Sequence, residues 1–193
     1  MAGLDTPDPV RSVPGPLALV RDFVNTTDHE TGTDDLSSPA ELSTYLQHAG
    51  LLGRTVRASG DDLTLARQLR AGLRRSLELN HDGSSGAIPE LDAALTKLPL
   101  RLRWEGDRST LVPVGSGVSG ALSQIAVAMS QAVAEGNWWR LKICADDECE
   151  WAYYDGSKNR ARNWCEYGCG NRAKVRAYRQ RRRASAGSSR QRQ

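Results

Sequence analysis

Apolar residues in this chain come in short blocks, and the spacing inside each block sets what it can form. Leu17–Asn25 (LALVRDFVN) lies between Pro-Gly-Pro and a polar run. A strand or one or two helical turns would both fit, because periodicity does not decide at that length. Residues 29–37 read as loop. A helix start follows: Ser38 can cap, Pro39 suits the first position, and Glu41 completes a capping box. Leu42, Tyr45, Leu46 and Ala49 then share one face, and Gly50 can close the helix. A second helix is predicted from Ser59 or Asp61, with Ala66, Leu69, Leu73 and Leu77 at helical spacing. Arg67, Arg70, Arg74 and Arg75 fill the other positions and read as a solvated face. NHDGSSGAIP is a surface loop, and residues 90–98 suit a short helix.

The period then changes. Leu100–Trp104 alternates apolar residues with arginine, a half-buried strand pattern. After an EGDRS turn, Thr110–Val114 can return as its partner, with Pro113 confining it to an edge. Val118–Glu135 is a run of small and apolar residues, helical in pattern and ended by Gly136. Its Leu122, Ile125, Ala126, Met129 and Val133 make it the element expected to be most buried. Trp138–Ile143 (WWRLKI) reads as a strand leading into Cys144. The expected class is α+β: one small sheet with three to four helices over residues 17–143, then a small four-cysteine module over 144–183 ending in a basic helix. Residues 1–16 and 184–193 read as disordered tails. No internal repeat is present.

Charge sharpens that division. The formal net charge of +3 hides 14 Lys/Arg against 17 Asp/Glu before residue 144, and 12 against 6 after it. From Gly156 onward the only acid is Glu166. A cationic end on a mildly acidic body points to a polyanion partner. No apolar run approaches the roughly 20 residues of a membrane helix, and the Pro- and Asp-rich start has no signal core. The expectation is a cytoplasmic protein with no membrane partner.

All four cysteines fall in one stretch, as Cys144-x4-Cys149-x15-Cys165-x3-Cys169. Two close pairs separated by an excursion are the usual layout of a structural zinc site, with thiolates about 2.3 Å from a tetrahedral ion. Four thiolates leave no open position, so one zinc ion would be structural. Redox thiols and an iron–sulfur centre are the alternatives. Residues 144–183 are too few to fold on apolar burial alone, and metal ligation can supply the missing free energy. Trp151, Tyr153, Tyr154, Trp164 and Tyr167 would pack around the metal.

Past Cys169, GNRAKVRAYRQRRRAS reads as a helix to about Arg183. Arg172, Arg176, Arg179 and Arg183 form one stripe, Lys174, Arg181 and Arg182 widen it, and Val175 and Tyr178 can face the module. Like charges so spaced repel, and a polyanion relieves the repulsion.

These residues resemble a known family. Cys169-Gly170-Asn171-Arg172 matches the motif of the CGNR zinc-finger family, as do Cys144, Cys149, Trp151, Tyr153, Asp155, Ser157, Asn159, Arg162, Trp164-Cys165 and Lys174. The preceding region resembles the ABATE domain at Leu19–Thr26 and again from Asp35-Leu36 through Ala49-Gly50-Leu51. The sequence departs from the pattern in the three-residue gap between its last cysteines and in Glu166-Tyr167 after the third. The resemblance implies a bacterial, stress-related transcription regulator whose finger binds DNA. The four cysteines would be its ligands, with Asp155, Ser157 and Asn159 bracing loops and Arg172 either pairing with Asp155 or reaching DNA.

The nucleic-acid-contacting residues expected on this reading are Arg160, Arg162, Arg172, Lys174, Arg176, Arg179, Arg182 and Arg183. RNA is the alternative partner, and a thiol-redox role a more distant one. No enzyme is expected: His29, His48 and His81 stand outside any triad order, HExxH motif or phosphate-cradling loop. The body over 17–143 would sense a small molecule or form a homodimer, since single fingers rarely supply enough contacts for tight binding.

Overall fold

The computed structural model describes residues 13–165 and 168–190, with side chains given to residue 182. The ambiguous first block is helix α1 (Gly15–Val24), which buries Leu17, Val20, Phe23 and Val24. That spacing is helical, and the partner that settles it is α5 (Gly117–Ala134), far away in sequence. A tight hairpin follows, β1 (Thr27–Asp28) with β2 (Thr33–Asp34), where residues 29–37 had read as loop alone. The Asp28 carboxylate accepts from the Glu30 and Thr31 N–H groups across its turn. Helix α2 (Pro39–His48) starts at Ser38, whose hydroxyl accepts the Glu41 N–H at 3.2 Å.

The long α3 (Gly60–Asp82) runs through the middle. A reciprocal Ser59–Asp62 capping box opens it, and Gly83, at φ 64°, closes it. Leu63, Ala66, Leu69, Leu73 and Leu77 line its buried face, as the spacing predicts. The arginines on its other side do not form a solvated stripe. Arg70 is buried and makes two bonds to Asp34, at 2.6 and 2.8 Å. Arg67 donates to the carbonyls of Leu36 and Ser37, and Arg74 to those of Glu150 and Val24. Arg67 and Arg75 are both exposed, but Arg75 pairs within its own helix, with Glu78. Three arginines thus brace loops from elsewhere in the chain.

Helix α4 (Pro89–Leu95) lies against α3 so closely that a Cβ on Gly72 would stand 2.6 Å from Leu91 Cα. Strands β3 (Leu100–Glu105) and β4 (Arg108–Pro113) form the expected hairpin. Its apolar side is not half-buried, however: Leu102 and Trp104 are 66 % and 70 % exposed. Contact with α5 comes through β4. Helix α5 buries Leu122, Ile125 and Ala126, whereas Val133 is exposed. By length and composition it could cross a membrane, but half of it is buried inside the fold, as befits a core helix.

Trp138–Arg140 is a 3-10 turn and not the start of a strand. Strand β5 (Leu141–Ile143) then pairs antiparallel with β6 (Ala152–Tyr154). The described strands thus make three separate antiparallel pairs in an α+β fold. The last pair joins the cysteine module to the body. Leu141, Ile143 and Ala152 belong to the main core, and the Asn25 amide at the end of α1 bonds both backbone groups of Ala152, at 2.8 and 2.9 Å. The final helix, α6 (Cys169–Arg190), runs past the expected stop at Arg183, so residues 184–190 are helical and not a loose tail.

Candidate metal centre and basic helix

The β5–β6 hairpin sets the first cysteine pair. Cys144 follows β5, and its N–H donates to the Trp151 carbonyl at 2.9 Å. Between the strands the chain turns on Asp146, whose carbonyl accepts the Cys149 and Glu150 N–H groups. Glu150 takes the left-handed conformation, φ 45°, as the loop turns back. Ala145 N–H then donates to the Asn163 carbonyl, drawing in the excursion that carries Cys165. Gly168, at φ 78°, turns the chain into α6 and places Cys169 at its first position. Gly170 packs close to the Trp164 indole: a Cβ there would stand 3.4 Å from it, at the edge of ordinary contact.

All four cysteines are buried and unbridged. Their sulfurs lie within 4.8 Å of one another, with Cys149 Sγ 3.6 Å from Cys165 Sγ and Cys165 Sγ 3.5 Å from Cys169 Sγ. Tetrahedral zinc with bonds of about 2.3 Å requires sulfurs about 3.8 Å apart. The quartet matches that spacing. Burial and the neighbouring sulfurs push the Cys149 thiol above its ordinary range. A divalent cation at the centre reverses that balance by favouring thiolates. The four cysteines are therefore placed to hold one structural zinc ion.

Trp151, Tyr153 and Trp164 surround the sulfurs, and Tyr154 packs against the main core. Tyr167 and Glu166 lie outside the described residues. Asp155 is a brace, fully buried. It accepts from Lys142 Nζ at 2.9 Å, from the Ser157 hydroxyl and N–H at 2.5 and 3.1 Å, and from the Arg162 N–H at 3.1 Å. Burial alone would raise its carboxyl; these bonds outweigh burial and leave it lowered.

Asp146 is the residue that sequence reasoning missed. Its side chain is wholly buried and receives Arg172 Nε at 2.9 Å and Arg176 Nη2 at 2.8 Å. Arg172 also reaches Glu30 at 2.7 Å and Cys169 Sγ at 3.1 Å, and Arg176 reaches Glu148 at 2.8 Å. Arg172 therefore pairs with neither Asp155 nor solvent alone: it joins body, cysteine loop and ligand sulfur. The signal available in the sequence was the acidic run Asp146-Asp147-Glu148 inside the first cysteine pair, opposite an arginine-rich helix.

The other expected contact residues divide by position. Arg160 stacks on Trp139 at 4.1 Å, and Arg162 lies over Tyr153 at 5.2 Å. Lys174, Arg179 and Arg182 are exposed along α6, as is Arg181, with Arg182 set 6.0 Å from the Tyr178 ring. Arg183 lies on the helix, but its side chain is outside the described residues. Val175 and Tyr178 are not buried against the module; they are 47 % and 54 % exposed. At about 100° per residue, Lys174 and Arg181 lie nearly opposite the Arg172–Arg176 row. Between β2 and α2 a cleft of about 590 Å³ is lined by Asp34, Asp35, Glu41, Tyr45 and His48.

Comparison with known proteins agrees with this geometry. No curated protein matches the chain. The family model of the CGNR zinc finger matches residues 140–182. The model named ABATE, described as "Putative stress-induced transcription regulator", matches residues 17–136, more than half of the chain. With the zinc-finger match over the cysteine module, the chain belongs to the ABATE family and carries a CGNR zinc finger.

Proposed function

We propose that this protein is a DNA-binding regulator in which the zinc-held α6 lies against the sugar-phosphate backbone. The observation that carries the reading is the composition and exposure of α6. It has no acidic residue from Cys169 to Arg190. Lys174, Arg179 and Arg181 are exposed, and none of them pairs with an acidic group among the described residues. Phosphates are the natural partners for such charges, and each one neutralised releases counterions.

The contact set follows from where each charge is already engaged. Arg172 and Arg176 serve as positioning residues, since Asp146 holds both. Lys174, Arg179, Arg181 and Arg182 contact phosphates, with one or two reading guanine edges. Arg160 and Arg162 add backbone contacts from the loop between the cysteine pairs. The body then serves regulation, as the family description implies for the whole.

A mobility-shift titration of duplex DNA at several salt concentrations tests this. Lys174→Glu/Arg179→Glu should weaken binding and flatten the salt slope by about 1 per lost phosphate contact. Equal retardation by this variant and the unaltered protein at matched zinc content would refute the assignment. Preference for structured RNA over duplex DNA in competition would move the reading to RNA.

A further inference from the structure

The outer edge of β3 is open. Its one strand partner among the described residues is β4, and β4 is anchored on α5. Val114 N–H donates to the Pro99 carbonyl at 2.8 Å, so Pro99 faces β4. Inward and outward backbone groups alternate along an antiparallel strand. Arg101, Arg103 and Glu105 therefore also face β4, while Leu100, Leu102 and Trp104 turn their N–H and C=O groups outward. The same outward positions carry the exposed Leu102 and Trp104 side chains. No proline or bulge interrupts the strand, two of the devices that keep an edge from pairing; a third, edge charge, is present as Arg101, Arg103 and Glu105, of mixed sign.

We propose that β3 pairs antiparallel with β3 of a second copy of this chain, about a two-fold axis at Arg103. Ladder bonds form only where outward-facing residues meet. With the axis at Arg103, Leu102 stands opposite the partner's Trp104 and exchanges backbone bonds with it. On the other face Arg101 stands opposite the partner's Glu105. Both pairs occur twice by symmetry, and opposite charges and apolar–aromatic pairs are the favourable cross-strand contacts. An axis at Leu102 would instead set Arg101 against the partner's Arg103, like against like. An axis at Trp104 would again oppose Arg103 and Glu105, but it pairs only residues 103–105 of the strand, whereas the axis at Arg103 pairs residues 101–105. Charge and paired length together select one register. Arg103 meets its own copy at the axis, and Glu105, 3.4 Å away in the same strand, offsets that repulsion. This association does not depend on nucleic-acid binding.

The experiment uses the full, zinc-loaded chain. Sedimentation from low to high micromolar concentration should show a species of twice the chain mass. Residues opposite each other at a non-hydrogen-bonded position have Cα atoms about 4.5 Å apart, within disulfide reach. Under mild oxidation by glutathione disulfide, Arg103→Cys should therefore cross-link to itself. Arg101→Cys and Glu105→Cys should each fail alone and cross-link when mixed. Leu102→Pro removes an outward N–H and no bond to β4, so it should abolish the dimer while zinc content and melting temperature hold. If that variant melts early, charge reversal decides: Arg101→Glu should weaken the dimer, and adding Glu105→Arg should restore it. A chain that stays monomeric throughout, cross-linking at 101 as fast as at 103, or a failed charge swap would overturn the proposal.

Discussion

Replacing Asp155 with alanine should be among the most damaging single changes in the cysteine module. Lys142 and Asp155 are 7 % and 0 % exposed, so the pair is buried on both sides. Alanine leaves the Lys142 ammonium with the Arg160 carbonyl at 2.8 Å as its remaining described partner. It also strips acceptors from the N–H groups of Ser157 and Arg162. Removing one member of a buried ion pair costs about 3–5 kcal/mol, because the other charge is stranded. The double variant Lys142→Met/Asp155→Ala removes that stranded charge and should recover about 2 kcal/mol of the loss. Urea unfolding in excess zinc measures both, with tryptophan fluorescence as the probe and zinc release to a chelator as a second readout. Because the folded-state carboxyl is lowered, its contribution is present above the ordinary carboxylate value. It is lost as pH falls through the lowered one, so the Asp155→Ala deficit should shrink in acid. A deficit under about 0.5 kcal/mol, or strict additivity in the double variant, would refute the reasoning.

Other changes test other parts of the structure. Chelation should release about one zinc per chain and lower the helical circular dichroism, because α6 is then a run of like charges without its anchor; retained ellipticity in the metal-free protein would contradict this. Gly72→Ala should cost about 1–3 kcal/mol, since the new Cβ meets Leu91 backbone at 2.6–2.8 Å, and thermal melting reads it. Asp34 is lowered chiefly by its bond from Arg70, so the stability gap between the unaltered protein and Asp34→Asn should be full near neutrality and close as pH falls below about 4. A gap that widens in acid would reverse the assigned sign.

The sequence was most legible where local chemistry decides. Ser38-Pro39-Ala40-Glu41 specifies a helix start on its own, and the leucines from Leu63 to Leu77 specify a buried face. The cysteines were legible because a metal imposes its own spacing. Elsewhere the deciding partner was remote. Leu17–Asn25 became helical against α5, which begins about a hundred residues later. Arg67, Arg70 and Arg74 repeat at helical spacing just as solvated arginines do, and only Asp34, Leu36 and the Glu150 carbonyl, brought close by the fold, show them as braces. Likewise α6 reads as a uniform cationic rod, yet Asp146 engages its first two turns, and which charges remain available is a tertiary fact. Leu102 and Trp104 alternate like any half-buried strand, and no pattern of one chain records that neither finds cover.

Asn25 binds both backbone groups of Ala152, and the hairpin bearing Cys144 and Cys149 roots in the main core. That attachment leaves the finger no swivel. Ordinary tandem fingers adapt to a target by flexing their connectors; on the proposed function, any adjustment in angle or reach here has to come from the whole body turning, or from the DNA bending to meet it.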